Sequence, residues 1–456
     1  MAKVFVVTAA QSYASPHAHF WAGLLAYAKR RSAEIIVLPM IGKSSKEDWD
    51  AIHPLFAEYL EYGKRSLNSN VKIEQFNIRP YQVDPVTGLD RFAQRDTSVI
   101  FASPKQRLKP VPHSNQKFPK FLITTGSVTR PNYATQSDSS AERRRLGEIA
   151  RRDHTYGAVV VEVVDNNHYH LRHLRANSKG EFVDLGILYS GNETKKVSPE
   201  ALVLGDYHFG VSDQNVLKTT YEMIDELKPK RIVLHDFFDG HSVSHWSEKV
   251  PVRDLLLQVF DKGLFTLAGE LMEAGKELMK LSKMADEVIV VMSNHHRFLH
   301  RYLEDGRWAK HPHNYRLAVE LLGHMAEKDH NDPVEYGIKK FSNLPKNVKF
   351  LREDADYKVR GYQLAAHGDK SDTGGSFGGG YGGVASKEIA YGRSITGHVH
   401  KQQILRDTYT VGTCLPINPP PFYMRGRSID WTHTHAVLWS NGTVQLLSIF
   451  DGEWRA

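Results

Sequence analysis

A single cysteine, Cys414, stands in 456 residues, so no intrachain disulfide can form and the fold must rest on its core. No run approaches the eighteen or so apolar residues that a membrane-spanning helix requires. The sequence also shows little sign of a secretory signal. The apolar run Val4 to Ala10 is short, has only Lys3 before it, and dissolves into Gln11-Ser12-Tyr13. It is expected to be a buried first strand. No glycine-rich fingerprint follows that strand, where Thr8-Ala9-Ala10-Gln11-Ser12 stands instead, so no dinucleotide site is expected there. These absences point to a cytoplasmic protein with no membrane partner, in the host cytoplasm if a phage encodes it.

What is present is chain enough for two domains. Hydrophobic residues make up 41% and charged residues 24%, the balance of a globular protein. The net charge of +7 is unevenly spread. Residues 1–200 hold 28 Lys and Arg against 20 Asp and Glu, and residues 201–456 hold 31 against 32. Between 101 and 152, eleven basic residues face three acidic ones, which favours a polyanion or a solvated face.

The opening reads strand, helix, strand. Val4 to Val7 and Glu34 to Leu38 are apolar runs, and Phe20, Leu24, Leu25 and Ala28 recur at helical spacing between them. This βαβ unit predicts an α/β N-terminal domain containing a parallel sheet. Further strands are expected at Ser98–Phe101, Phe121–Thr125 and Gly157–Val164, the last forming a hairpin through Asn166-Asn167 with His168–Leu174. Ser103 to Lys120 reads as an exposed loop, and Glu142–Arg152 as a short basic helix. A boundary near Gly191–Pro199 divides the chain into 1–197 and 198–456.

In the second part, apolar strands end in metal-binding residue types. Leu202-Val203-Leu204 runs into Gly205-Asp206-Tyr207-His208, and Ile232-Val233-Leu234 into His235-Asp236-Phe237-Phe238-Asp239. Val288 to Met292 runs into Ser293-Asn294-His295-His296, and Leu364 to Ala366 into His367-Gly368-Asp369. Ser394-Ile395-Thr396 leads to Gly397-His398-Val399-His400. In a layered α/β domain the carboxyl ends of parallel strands meet at one place. Ligands two residues apart, as in Asp206-x-His208 and His398-x-His400, leave an extended strand end on the same side. A mixed set of carboxylate, amide and imidazole donors suits Mn²⁺, Fe or Zn²⁺ better than Ca²⁺.

As an ordered set, Gly205-Asp206-x-His208, Asp236-x-x-Asp239, Asn294-His295, His367 and Gly397-His398-x-His400 resembles the calcineurin-like metallophosphoesterase signature, over roughly residues 200 to 410. The resemblance implies a β-sandwich of mixed sheets flanked by helices, four layers in all, and two divalent cations, with Mn²⁺ expected first and Fe, Zn²⁺ or Mg²⁺ as alternatives. It implies that Asp206, His208 and His400 hold one cation, that Asn294, His367 and His398 hold the other, and that Asp236 bridges them. It implies catalytic roles for His295 and Asp239. Two positions depart from the family pattern: His235 stands where a glycine is usual, and His296 where an acid is usual. The core is also similar to the SbcD-type repair nucleases, which carry their extra domains after it, and in overall character to phage DNA-degrading nucleases.

The glycine-rich segment Gly374 to Gly383 is placed to cover the site, with Phe377 or Tyr381 stacking on a base. Arg393, Arg425 and Arg427 are candidate phosphate contacts, and Phe209, Phe237 and Phe238 are expected to flank the site. The leading expectation is a homo-oligomeric DNA nuclease that attacks phosphorus in line with a hydroxide bridging the cations. The alternatives are a nucleotide phosphodiesterase or phosphatase with an N-terminal oligomerisation domain, and a non-catalytic DNA-binding or assembly protein.

Overall fold

The computed structural model describes residues 2–42, 49–93, 97–112, 120–134, 139–245, 266–328, 331–370 and 381–456, and for residues 49, 381 and 382 the backbone alone. The opening is the expected βαβ unit. Strands Lys3–Gln11 and Glu34–Met40 pair in parallel from Phe5↔Glu34 to Gln11↔Met40, connected through the helix Ala18–Arg31. The hairpin Gly157–Val163 and Tyr169–Arg175 extends them antiparallel into a four-stranded sheet.

A six-stranded sheet carries the second part. In spatial order its strands are Val348–Leu351, Glu287–Val291, Arg231–Leu234, Pro199–Val203, Thr434–Trp439 and Val444–Ser448. The first four are parallel, Thr434–Trp439 joins them antiparallel, and Val444–Ser448 pairs antiparallel with Thr434–Trp439. Side chains alternate across this sheet with the two-residue period of a strand. Leu202, Leu204, Ile232, Leu234, Val288 and Val290 pack with Val216, Met223 and Ile224 of the helix Gln214–Leu227 and with Leu271 and Leu278 of the helix Leu267–Leu281. Ala201, Val203, Val233 and Ile289 point the other way, into a core shared with Tyr362, Leu364, Ile395 and Tyr409. Those four belong to or follow strands of a ten-stranded sheet that faces the first. The architecture is mixed α/β, a sandwich of sheets with helices outside, as expected.

The ten-stranded sheet joins the halves of the chain. Its order runs from Lys358–Val359 through Tyr362–Gln363, Ser394–Thr396, Thr408–Thr410 and Gln403–Leu405 to Arg107–Val111, Lys120–Thr124, Ser98–Phe101, Val71–Ile73 and Arg65–Ser66. The junction is the antiparallel pair Ile404↔Leu108 and Leu405↔Arg107. Residues on either side of 197/198 therefore share one sheet.

That junction corrects the reading of Ser103–Lys120 as an exposed loop. Arg107–Val111 is a buried strand. Arg107 is fully buried, donating from Nε to Asp84 (3.1 Å) and from Nη1 to the carbonyls of Leu108 (2.7 Å) and Ile404 (3.1 Å). Lys105 is buried against Asp153 at 2.9 Å, and Lys109 reaches Asp90 at 2.6 Å. Much of the basic cluster is thus spent on internal pairing. Among the described residues of the cluster, Arg130, Arg143, Arg145, Arg151 and Arg152 remain exposed, four of them on the helix Ala141–Arg152. No described helix is long and apolar enough to cross a membrane.

Candidate metal centre

Two sheets deliver the candidate ligands to one place. The parallel strands Pro199–Val203, Arg231–Leu234 and Glu287–Val291 end just before Asp206, Asp236 and Asn294. From the facing sheet, Tyr362–Gln363 leads to His367, and Ser394–Thr396 to His398 and His400. The loops bond to one another along their backbones: Tyr207 N–H donates to His235 O (2.9 Å), His208 N–H to Asp236 O (2.8 Å) and Gly397 N–H to His367 O (2.9 Å). His208, Asp236, His398 and His400 all adopt positive φ, between 45° and 74°. Non-glycine residues are held there only where surroundings over-determine the backbone, which happens most often at functional sites.

The donor atoms form two groups that meet at Asp236. Asp206, His208, Asp236 and His400 are buried, with one ligand atom of each within 4.8 Å of the others. His208 Nε2 lies 3.1 Å from His400 Nε2, and His400 Nε2 lies 3.3 Å from Asp206 Oδ2. On the other side, Asn294 Oδ1 is 3.0 Å from His367 Nε2 and 3.2 Å from His398 Nδ1, while His367 Nε2 is 3.2 Å from Asp236 Oδ2. Two imidazole nitrogens facing each other at 3.1 Å suit convergence on one cation. Oδ1 of Asp206, Oδ1 of Asp236 and Nδ1 of His367 are buried with no hydrogen-bond partner among the described residues. Buried carboxylate oxygens left unpaired are costly unless a cation compensates them. The Asp206, His208, Asp236 and His400 cluster therefore fits a divalent cation, and the seven residues expected as ligands lie together around Asp236.

The electrostatics carry the same message. Burial, and then the charge of Asp236, raise the Asp206 carboxyl to about 7. Burial opposes ionisation of Asp236 as well, but His367 and His295 outweigh it and hold that carboxyl well below its usual range. One carboxylate is ionised at the expense of the other, because two adjacent buried like charges repel. Gly397 lets the backbone approach this close. A Cβ there would lie 2.1 Å from Asp206 Oδ1 and 3.0 Å from His235 Cβ.

His295 begins the helix His296–Glu304, which follows the Asn294 loop. Its Nδ1 lies 2.7 Å from the backbone carbonyl of Asp239 and 3.5 Å from that residue's carboxylate. A carbonyl only accepts, so Nδ1 carries the proton and Nε2 is left for a substrate. Asp239 also accepts from His208 Nδ1 at 2.9 Å. Burial disfavours the Asp239 charge, but its bonds to His208 and His241 outweigh burial and keep the carboxyl ionised. Asp239 thus supplies the acid missing after His295. The residue in that place, His296, is buried and accepts from Ser293 N–H at 3.1 Å, folding the loop back on itself. His235 is fully buried, and neither ring nitrogen has a hydrogen-bond partner among the described residues; the structure shows no role for it.

Several expectations need correction. Arg393 is not at this site. It sits at the other end of its strand, over the Tyr362 ring at 4.4 Å. Phe237 and Phe238 do not line the site but are fully buried in the core, because the helix-facing side of the sheet continues through them. Phe209 packs half-buried against the same core. Phe377 lies outside the described residues. Tyr381 begins the helix Tyr381–Tyr391, with only its backbone described. The aromatic rim is instead formed by Trp431, edge-on to His400 at 4.4 Å, and by Tyr423, 6.3 Å from Trp431. Phe422, Tyr423, Arg425 and Arg427 are exposed alongside.

Three supporting residues escaped the sequence reading. His435 accepts Gly205 N–H at Nδ1 (2.9 Å) and pairs through Nε2 with Thr220 Oγ1 (2.8 Å), bracing the Asp206 loop. Lys387, fully buried on the helix Tyr381–Tyr391, donates to Gly397 O (3.1 Å) and Thr396 Oγ1 (3.2 Å). Burial lowers its ammonium to about 8. Glu270, fully buried, accepts from the backbone N–H groups of Gly240 (2.7 Å) and Ser242 (3.1 Å) and fixes the loop that carries Asp239. Only His435 left a trace in the sequence, in the alternation His433-x-His435 that runs into the strand Thr434–Trp439.

No protein-family model matches the chain. Protein A1 of Escherichia phage T5 is 26% identical over 483 aligned residues, which span all of this chain and 83% of the relative. The crystal structure of Vps29 from Chaetomium thermophilum aligns at 10% identity and a TM-score of 0.23, over 43% of this chain and 96% of that one.

Proposed function

We propose that this chain hydrolyses phosphodiesters with two divalent cations and that its substrate is DNA. The observation that carries the hydrolase reading is the pair of donor groups meeting at Asp236, with a buried carboxylate oxygen on Asp206 and one on the bridging candidate Asp236 unpaired among the described residues. Cations held there would neutralise phosphate charge and lower the pKa of bound water towards neutrality. The chain's own contribution is positional. Asp239 fixes the tautomer of His295, so that Nε2 can donate a hydrogen bond or a proton to the leaving oxygen when protonated. The buried loops hold the ligands in a backbone geometry that is strained before any substrate arrives.

DNA is favoured over a small diester by what surrounds the centre. The exposed Phe422, Tyr423, Arg425 and Arg427 stand beside the His400 side of the site and present both π faces and cations, the two features that unpaired nucleotides need. The exposed arginines of the helix Ala141–Arg152 supply further phosphate contacts. Manganese is the expected ion for this donor set.

The test is hydrolysis of linear and circular DNA, beside bis-p-nitrophenyl phosphate, with Mn²⁺ or chelator, for the wild type and Asp236→Ala. Metal-dependent loss of DNA that disappears in the variant supports a nuclease, and the fate of the circle separates endonucleolytic from exonucleolytic cutting. Turnover of the small diester alone keeps the metal centre and removes DNA as the substrate.

A further inference from the structure

Away from the metal centre, the structure has an open cavity of about 440 Å³, within the size range of small-ligand sites. Its walls come from segments distant in the chain: Tyr156 and Arg175 from the first half, Arg360, Arg393, Ser440 and Asn441 from the second. Three arginines line it, and no Asp or Glu is among the lining residues. It lies at the opposite ends of the strands that feed the metal centre. Arg393 immediately precedes the strand Ser394–Thr396, whose far end leads to His398; Arg360 precedes Tyr362–Gln363, which leads to His367. At about 3.3 Å per extended residue, the five steps from Arg393 to His398 span up to roughly 17 Å.

The arginines are organised from behind. Arg175 donates to Tyr409 Oη (3.1 Å) and to the carbonyl of Arg406 (2.8 Å), and pairs with Asp407 at 2.8 Å. Arg393 lies against the Tyr362 ring at 4.4 Å, with its Nε 3.7 Å from Asp407, and its side chain is 47% exposed. Arg360 pairs with Glu200 at 2.9 Å and its side chain is 50% exposed. A guanidinium offers five N–H donors, so a single carboxylate on each leaves a fork able to take a planar or tetrahedral oxyanion. Tyr156 offers a ring edge or face and Ser440 a hydroxyl for a sugar or base beside the anion, while the Asn441 amide is held by Thr443 Oγ1 (2.7 Å) and the carbonyl of Glu181 (3.4 Å) and shapes the wall.

We propose that this cavity is a second ligand site, distinct from the metal centre, for a phosphorylated small molecule of nucleoside monophosphate size, with its phosphate on Arg360 and Arg393. The site needs no divalent cation, so it stands independently of the proposed hydrolysis.

The test is calorimetric titration of the full-length chain with dAMP and with inorganic phosphate, in excess chelator so that the metal centre cannot contribute. Saturable binding of one dAMP per chain is expected, with inorganic phosphate weaker. Arg360→Gln combined with Arg393→Gln should weaken dAMP binding at least about tenfold, while Asp236→Ala should leave it unchanged. Since the arginine changes break ion pairs, Ser440→Glu provides a second probe: it disturbs none of them, should keep the wild-type melting temperature, and should abolish binding by placing a carboxylate at the rim. Absence of saturable dAMP binding overturns the proposal, as does binding that both sets of variants leave intact. Loss of binding in Asp236→Ala would move the ligand to the metal centre, and equal affinity for phosphate and dAMP would remove the nucleotide assignment.

Discussion

At the scale of single residues, the centre is defined by buried donor atoms that a bound cation would satisfy. Asp206 and Asp236 each keep a buried oxygen without a partner among the described residues, and four ligand candidates sit at positive φ. Gly397 shows how little room remains. Gly397→Ala would drive a Cβ to 2.1 Å from Asp206 Oδ1, while the other Asp206 oxygen is held by His398 N–H at 2.7 Å and the Gly397 backbone by His367, so relief must displace the Asp206 carboxylate from its place. The expected outcome is loss of bound Mn²⁺, read by metal analysis after dialysis, with the fold retained by circular dichroism. His295 makes a different prediction because it is held by Asp239 and is absent from both donor groups. His295→Gln should keep the metals and lower kcat by about 10²–10⁴-fold, the usual range for a lost general acid. A variant that loses its metals instead would make His295 a ligand and sink the division of roles.

At the scale of elements, the ligands were legible in the sequence because each follows an apolar strand, and a strand end is a local signal. Their supports were not, since topology brings them from far away. His435 lies 230 positions from the Gly205 N–H it accepts. Lys387 reached the ligand loop only because its helix packs behind the strand Ser394–Thr396. Phe237 and Phe238 were misread for the converse reason: adjacency to Asp236 in sequence says nothing about which side of the sheet a ring takes. His435→Leu tests the bracing role. It strands Gly205 N–H in a buried position, a loss of about 1–3 kcal/mol by the usual cost of an unsatisfied donor. Denaturant melts should show that loss with the m-value unchanged, and a neutral result would mean that the Asp206 loop does not depend on the strand behind it.

At the scale of the whole molecule, the halves are interleaved in a way that composition could not reveal, because strand pairing between Arg107–Val111 and Gln403–Leu405 leaves no local mark. Residues 198–456 expressed alone would expose the edge of Gln403–Leu405 and part of the shared core. That fragment should aggregate, as followed by size-exclusion chromatography, and a monomeric, folded fragment would count against the shared sheet. A second seam is ionic. Fully buried Glu162 accepts at Oε1 from both Arg172 (2.7 Å) and Arg31 (2.5 Å), and at Oε2 from the backbone N–H of Ala456 (3.0 Å). Arg172 in turn holds Asp184, which accepts from Gln445 of the last strand at 2.9 Å. Burial alone would raise the Glu162 carboxyl, but Arg172 outweighs it and lowers the carboxyl from 4.5 to about 2. A depressed folded-state value means that the unfolded chain binds the proton first as pH falls. The contribution is therefore complete above about pH 4.5 and lost progressively towards pH 2. A shift of that size corresponds to about 3 kcal/mol. Glu162→Gln should lower the melting temperature near neutrality and flatten its decline between pH 4.5 and 2. Parallel curves for the two proteins would show that the network is not what acid dismantles.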